Sequence, residues 1–221
     1  MTTCVIGDIH GCAASLEALL ALVDARADTL VFLGDYIDRG PHTRGVIDQL
    51  LLLKHSHDRV ITLMGNHELM LLNYLSGREQ TMFLAYGGKQ TLASYGIPST
   101  LAAGAVSQLL PDDHTTFFYN LPLLWEDEHA IYVHAGLQPG RPLSMQSADY
   151  CLWVREEFIR STYNFGKKVI FGHTVFDSPL VMDNKIGIDT GAVYGGHLTA
   201  LLLPEMEFVQ VPGEQRNLSF A

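Results

Sequence analysis

Five times along this chain a short aliphatic or β-branched run meets a turn built from glycine and an Asp, Asn or His. Residues 3–6 lead into Gly7-Asp8, residues 30–33 into Gly34-Asp35, and residues 60–64 into Gly65-Asn66. Residues 131–133 lead into His134-Ala135-Gly136, and residues 169–171 into Gly172-His173. Apolar runs of this length, bounded by glycine, read as buried strands. Helical patterns lie between the early ones. Leu16, Leu19, Leu20 and Val23 share one face, as do Val46, Ile47, Leu50 and Leu51 after Pro41, and His67 to Leu75 opens a third helix. Strand–helix alternation with short links predicts parallel pairing and right-handed crossovers.

The rhythm breaks between about residues 78 and 120, where Tyr86-Gly87-Gly88, Gly96 and Pro98 punctuate short helical stretches. This reads as a helical cap-like insert. Met82, Phe83 and Tyr86 within it read as core packing rather than a groove lining. Beyond it, short strands are predicted at 123–125, 131–133, 169–171, 180–182, 186–188, 198–203 and 208–211, with one helix around 150–160. No linker, repeat or low-complexity tract divides the chain, so residues 1–221 read as a single domain whose tail frays from Pro212. At 221 residues and 48% apolar composition the chain can bury a substantial core. Its net charge of −10 disfavours partners that carry a phosphate backbone or an anionic membrane surface. Cys4, Cys12 and Cys151 lack metal-binding or redox spacing and read as inert thiols of a reducing cytoplasm. No signal peptide is expected, and the apolar run at 50–53 is too short to span a bilayer.

In open α/β sheets, ligands bind outside the carboxyl ends of strands. The five strand ends therefore bring Asp8, His10, Asp35, Asn66, His134 and His173 to one rim. Carboxylate, amide oxygen and imidazole suit manganese, iron or zinc. Six donors exceed the needs of one ion with an open position. They fit two ions roughly 3.5–4 Å apart that share a carboxylate, an arrangement used for in-line attack on phosphorus. One such motif alone is an ordinary turn. Five in order make a site.

Gly7-Asp8-Ile9-His10-Gly11, Gly34-Asp35-Tyr36-Ile37-Asp38-Arg39-Gly40, Gly65-Asn66-His67-Glu68, His134-Ala135-Gly136 and Gly172-His173-Thr174 together resemble the calcineurin-like metallophosphoesterases. Within them the pattern is similar to the phosphoprotein phosphatase family. The stretch Ile188-Asp189-Thr190-Gly191-Ala192-Val193-Tyr194-Gly195-Gly196 extends the likeness. The resemblance implies an α/β fold, α+β in part, with a central two-sheet β-sandwich flanked by helices. It implies that Asp8 and His10 hold one divalent ion, that Asp35 bridges two, and that Asn66, His134 and His173 complete the second site. Manganese is the first choice of metal, with iron or zinc as alternatives. It further implies that water activated by the two metals attacks phosphorus and that His67, paired with Asp38, is the general acid. Arg39 would grip the phosphate, joined by Arg155 in the stretch Leu152-Trp153-Val154-Arg155. Glu68 would support the helix start or a metal ligand.

The implied function is phosphomonoester hydrolysis, with phosphoserine or phosphothreonine proteins as first-choice substrates. The alternative is a bis(5'-nucleosyl)-tetraphosphatase acting on diadenosine tetraphosphate. Asp38 and Glu68 lean toward the first, and Met64, which stands where that family commonly has arginine, toward the second. A non-catalytic phosphate binder is the third reading, opposed by the intact acid His67.

Overall fold

Alternation along short strands sets the layering. The computed structural model describes residues 1–214. One sheet contains β1 (Thr3–Ile6), β2 (Thr29–Phe32), β3 (Val60–Thr62), β9 (His197–Leu203) and β10 (Glu207–Pro212), in the order β10-β9-β1-β2-β3. The other contains β4 (Leu124–Glu126), β5 (Ala130–Val133), β6 (Lys168–Phe171), β7 (Leu180–Val181) and β8 (Lys185–Gly187), in the order β4-β5-β6-β8-β7. Pairing is parallel along β1-β2-β3 and along β5-β6-β8, and antiparallel at the other ladders.

Each central strand is buried on both faces, which is why it reads as an unbroken apolar run. Cys4 and Ile6 of β1 point to one side, where they meet Leu16 and Leu19 of α1 (Ala13–Val23) and Val46 and Leu50 of α2 (Thr43–Ser56). Val5 points the other way and joins Val31, Tyr132, Ile170 and Leu201 in the core between the sheets. The outer face of the second sheet, with Val133, Val169 and Phe171, packs under Cys151, Leu152 and Phe158. The result is helix–sheet–sheet–helix, the two-sheet architecture that the resemblance implied.

Residues 78–120 hold α4 (Gln80–Phe83), a π-type turn over Leu84–Gly88, α5 (Lys89–Ser94), α6 (Ala103–Ser107) and α7 (Asp112–Tyr119). They follow α3 (Asn66–Leu75), which starts at the end of β3. Phe83 is buried against Tyr74, with ring centroids 4.8 Å apart. Tyr86, expected in the core, is exposed instead, because the π-type turn rotates it outward.

Two further expectations change. The helix expected around 150–160 is two helices, α8 (Ala148–Trp153) and α9 (Glu156–Arg160). Val154 is extended at ψ 144° and Arg155 has φ −129°, so the chain leaves helical geometry between them. The buried Lys185 holds the far end of α9, donating to the carbonyls of Phe158, Ile159 and Ser161. The start of the tail is also tied down. Pro212 ends β10, and Glu214 Oε1 accepts the N–H groups of Ala14 and Ser15 at 2.8 and 3.2 Å. It satisfies donors at the start of α1 that no local side chain caps. The rest of the tail expected to fray lies outside the described residues. Among these, no helix is long and apolar enough to cross a membrane.

Leu201 lies in the core between the sheets and is fully buried. Leu201→Ala is expected to lower Tm by roughly 5–15 °C in a thermal melt, through lost transfer energy and a residual cavity.

Candidate active site

The loops leaving β1 and β2 are bolted together by their backbones. The N–H groups of Ile9 and His10 both donate to the Asp35 carbonyl, at 3.1 and 2.8 Å, and Gly11 N–H donates to the Tyr36 carbonyl at 2.8 Å. From the first turn of α3, Glu68 reaches back into the second loop. Its carboxylate is fully buried and accepts N–H groups from Gly65 at 3.0 Å, Asp35 at 2.9 Å and Tyr36 at 2.9 Å. Glu68 thus supports the helix start, as expected, by accepting Gly65 N–H, and it also anchors the loop that carries Asp35. Gly65 has to be glycine here, since a Cβ would stand 2.2 Å from Asp35 Oδ1. Gly172 answers the same demand on the other side, where a Cβ would stand 2.0 Å from Asp8 Oδ1.

Asp8, His10, Asp35, Asn66, His67, His134 and His173 converge at one rim, all buried. His10, Asp35 and His67 offer ligand atoms within 4.8 Å of one another, and so do Asp35, His134 and His173. Asp35 belongs to both groups: its Oδ2 lies 3.4 Å from His10 Nε2 and its Oδ1 lies 3.4 Å from His134 Nε2. Asn66 Oδ1 is 3.0 Å from His134 Nε2 and 3.0 Å from His173 Nδ1. Asp8 accepts the backbone N–H of His173 at 3.1 Å.

The tautomers follow from the partners. His10 Nδ1 meets the Ile37 carbonyl at 2.7 Å and His134 Nδ1 meets the Leu33 carbonyl at 3.0 Å. A carbonyl only accepts, so each Nδ1 carries the proton, and a neutral ring presents its Nε2 lone pair to the rim. Burial, with Arg39 next, holds His10 well below the ordinary imidazole value. Burial lowers His134 too, and takes His173 to about 3. Lone pairs of His10 and His134 thus face the oxygens of Asp35 and Asn66, acceptor against acceptor. Asp8 is pushed well up by burial and then by the charge of Asp189, itself raised to about 6 mainly by burial. A donor set of neutral imidazoles, an amide oxygen and crowded carboxylates fits divalent cations.

His67 differs from the other rings. Its Nδ1 meets a carboxylate, Asp38 Oδ2, at 2.6 Å, and its Nε2 faces the rim 3.9 Å from Asp35 Oδ2. The carboxylate partner fixes the orientation of the ring and directs Nε2 at the rim. Arg39 is half-buried, with a guanidinium nitrogen against His10 Nε2 and its Cζ 5.9 Å from the centre of the Tyr194 ring. Arg155 is exposed on the α8–α9 link rather than on a helix, and its charge reaches His134, His173 and Asp189.

Two residues at this site were given no role by the sequence reading. Asp189 sits at the rim, directly after β8 and Ile188, so a strand-end carboxylate was its available signal. Thr91 hydrogen-bonds Asp38 from 53 positions away. No local pattern marks it.

The family model for calcineurin-like phosphoesterases matches residues 1–177. The chain is 29% identical to bis(5'-nucleosyl)-tetraphosphatase PrpE [asymmetrical] of Bacillus mycoides, over 94% of this chain and 93% of that one. A crystal structure provisionally named a diadenosine tetraphosphatase is similar, with TM-score 0.74, 27% identity, and coverage of 96% and 94% of the two chains. A protein serine/threonine phosphatase from Saccharomyces cerevisiae shares the fold, with TM-score 0.66, 16% identity, and coverage of 97% and 80%.

Removing the Glu68 carboxylate strands several buried N–H donors at once. Glu68→Ala is expected to cost about 3 kcal/mol or more in urea denaturation.

Proposed function

The chain belongs to the calcineurin-like phosphoesterase family, and on that footing we propose that it hydrolyses dinucleoside polyphosphates such as diadenosine tetraphosphate. It is a metal-dependent hydrolase of phosphate esters or anhydrides. The order of substrates reverses the one read from the sequence, which placed phosphoserine and phosphothreonine proteins first. What carries the reversal is the likeness to an asymmetrical bis(5'-nucleosyl)-tetraphosphatase over 94% of the chain. The rim supports it: Tyr194, exposed beside Arg39, offers an aromatic face to a nucleobase while the guanidinium meets the phosphates.

In this reading Asp8, His10 and the bridging Asp35 would hold one divalent cation, and Asp35, Asn66, His134 and His173 the other, with manganese first and iron or zinc as alternatives. Such a pair neutralises phosphoryl charge and brings the pKa of water toward ~7. Arg39 and Arg155 bind the non-bridging oxygens and stabilise their charge as the bond to the leaving group lengthens. His67 gives its Nε2 proton to the departing oxygen, and Asp38 steadies the ring through Nδ1. Asymmetrical cleavage of a dinucleoside tetraphosphate would release a nucleoside triphosphate and a nucleoside monophosphate.

One observation favours a second reading, hydrolysis of phosphate monoesters on serine or threonine. An alkoxide is a poorer leaving group than a nucleotide phosphate and needs a proton donor more. The Asp38–His67 pair supplies one. The three buried unpaired cysteines and the net charge of −10 support a cytoplasmic enzyme with no nucleic-acid or membrane partner.

The deciding measurement is kcat/KM for diadenosine tetraphosphate against that for a phosphothreonine peptide, with products resolved by chromatography. A preference for the dinucleotide, with triphosphate and monophosphate as products, is expected; a preference for the peptide would reverse the order again. Asp35→Asn is expected to lower bound metal below the wild-type content in elemental analysis. Undiminished metal would remove Asp35 from its bridging place.

A further inference from the structure

Asp38 is fully buried in the left-handed backbone region at φ +70°, and its two carboxylate oxygens have different partners. Oδ2 takes the proton of His67 Nδ1 at 2.6 Å. Oδ1 accepts the hydroxyl proton of Thr91 at 2.6 Å, and the same hydroxyl oxygen accepts Asp38 N–H at 2.9 Å. One hydroxyl thus holds both the backbone and the carboxylate of Asp38, closing a small ring that opposes rotation of the side chain. The Thr43 hydroxyl, 3.3 Å from Thr91 Oγ1, completes a sealed polar cluster of buried groups. Thr91 arrives there on α5, whose approach depends on the π-type turn and on Gly87 at φ +117°. A Cβ at Gly87 would stand 2.5 Å from Arg39 N.

We infer that Thr91 is a positioning residue for the leaving-group acid: its hydroxyl fixes Asp38 so that His67 presents Nε2 to the rim. The inference rests on the acid role proposed for His67. A hydrogen-bond partner that sets the orientation of a functional group contributes roughly 10- to 100-fold to activity. Without the hydroxyl, Asp38 loses a donor to Oδ1 and an acceptor for its N–H in a site that excludes water. The carboxylate is then free to turn away from His67. The loss should fall on protonation of the departing oxygen and not on phosphate binding.

The test uses the metal-loaded wild-type enzyme, Thr91→Val, Thr91→Ser, His67→Asn and the Thr91→Val/His67→Asn double variant. Each is assayed on phosphate monoesters running from dinitrophenyl phosphate, whose leaving group needs little protonation, to an alkyl phosphate. Thr91→Val is expected to lower kcat on the alkyl ester by roughly 10- to 100-fold and much less on the dinitrophenyl ester, with KM little changed. Thr91→Ser, which keeps the hydroxyl, should recover most of that loss. In the His67→Asn background Thr91→Val should cost nothing further, since two groups acting through one step are not additive. An equal loss on every ester, or a full loss added to that of His67→Asn, would overturn the inference and leave Thr91 as packing. If His67→Asn itself leaves the leaving-group dependence unchanged, the acid role falls and the inference about Thr91 with it. If His67→Asn steepens that dependence and Thr91→Val does not, only the inference about Thr91 fails. Should Thr91→Val not fold, Thr91→Ala against Thr91→Ser makes the same comparison.

Discussion

Backbone N–H groups from two loops converge on the carboxylate of Glu68, and the rim depends on that convergence. Glu68 has no solvent exposure, so its desolvation has to be offset by charge-assisted hydrogen bonds from Gly65, Asp35 and Tyr36. These bonds hold the loop after β2 in a conformation it would not adopt alone. Five of the seven non-glycine residues with positive φ among the described residues are His10, Asp35, Asp38, Arg39 and His173. Each left-handed residue costs roughly 1–2 kcal/mol, so so many in one place persist only where the surroundings over-determine them. That strain aims the side chains of adjacent loop residues at a common point.

The two sheets divide the rim residues between them. Loops after β1 and β2 and the start of α3 carry Asp8, His10, Asp35, Asn66 and His67, whereas His134 and His173 follow β5 and β6 of the other sheet. The contacts across the gap are direct: His134 Nδ1 to the Leu33 carbonyl at 3.0 Å, and His173 N–H to Asp8. The apolar layer of Val5, Val31, Tyr132, Ile170 and Leu201 therefore does more than stabilise. Its thickness sets the separation between the halves of the site, and packed interiors change that separation only at a cost.

Electrostatics explains how an acidic protein can serve anionic substrates. Asp8, Asp35 and Asp189 are crowded at the rim, and the imidazoles beside them are held neutral by burial. Bound cations would relieve the carboxylate repulsion and turn the local field positive. The field of the whole chain, whose net charge is −10, is screened beyond about 8 Å at physiological salt.

What the chain declares by itself is the part written in local runs: apolar strands, the glycine turns that end them, and the polar residue placed at each end. Such runs identify buried strands because side-chain period and burial are properties of neighbouring residues, and their order along the chain points to the family. Three-dimensional packing alone decided the rest. Thr91 meets Asp38 across 53 positions, and Glu214 caps α1 across 200. Arg155 lies on a break between α8 and α9 while the buried Lys185 holds the far end of α9. Hydrogen bonds of this kind depend on where remote elements come to rest. A sequence lists the donors and acceptors, and only the folded chain selects which of them meet.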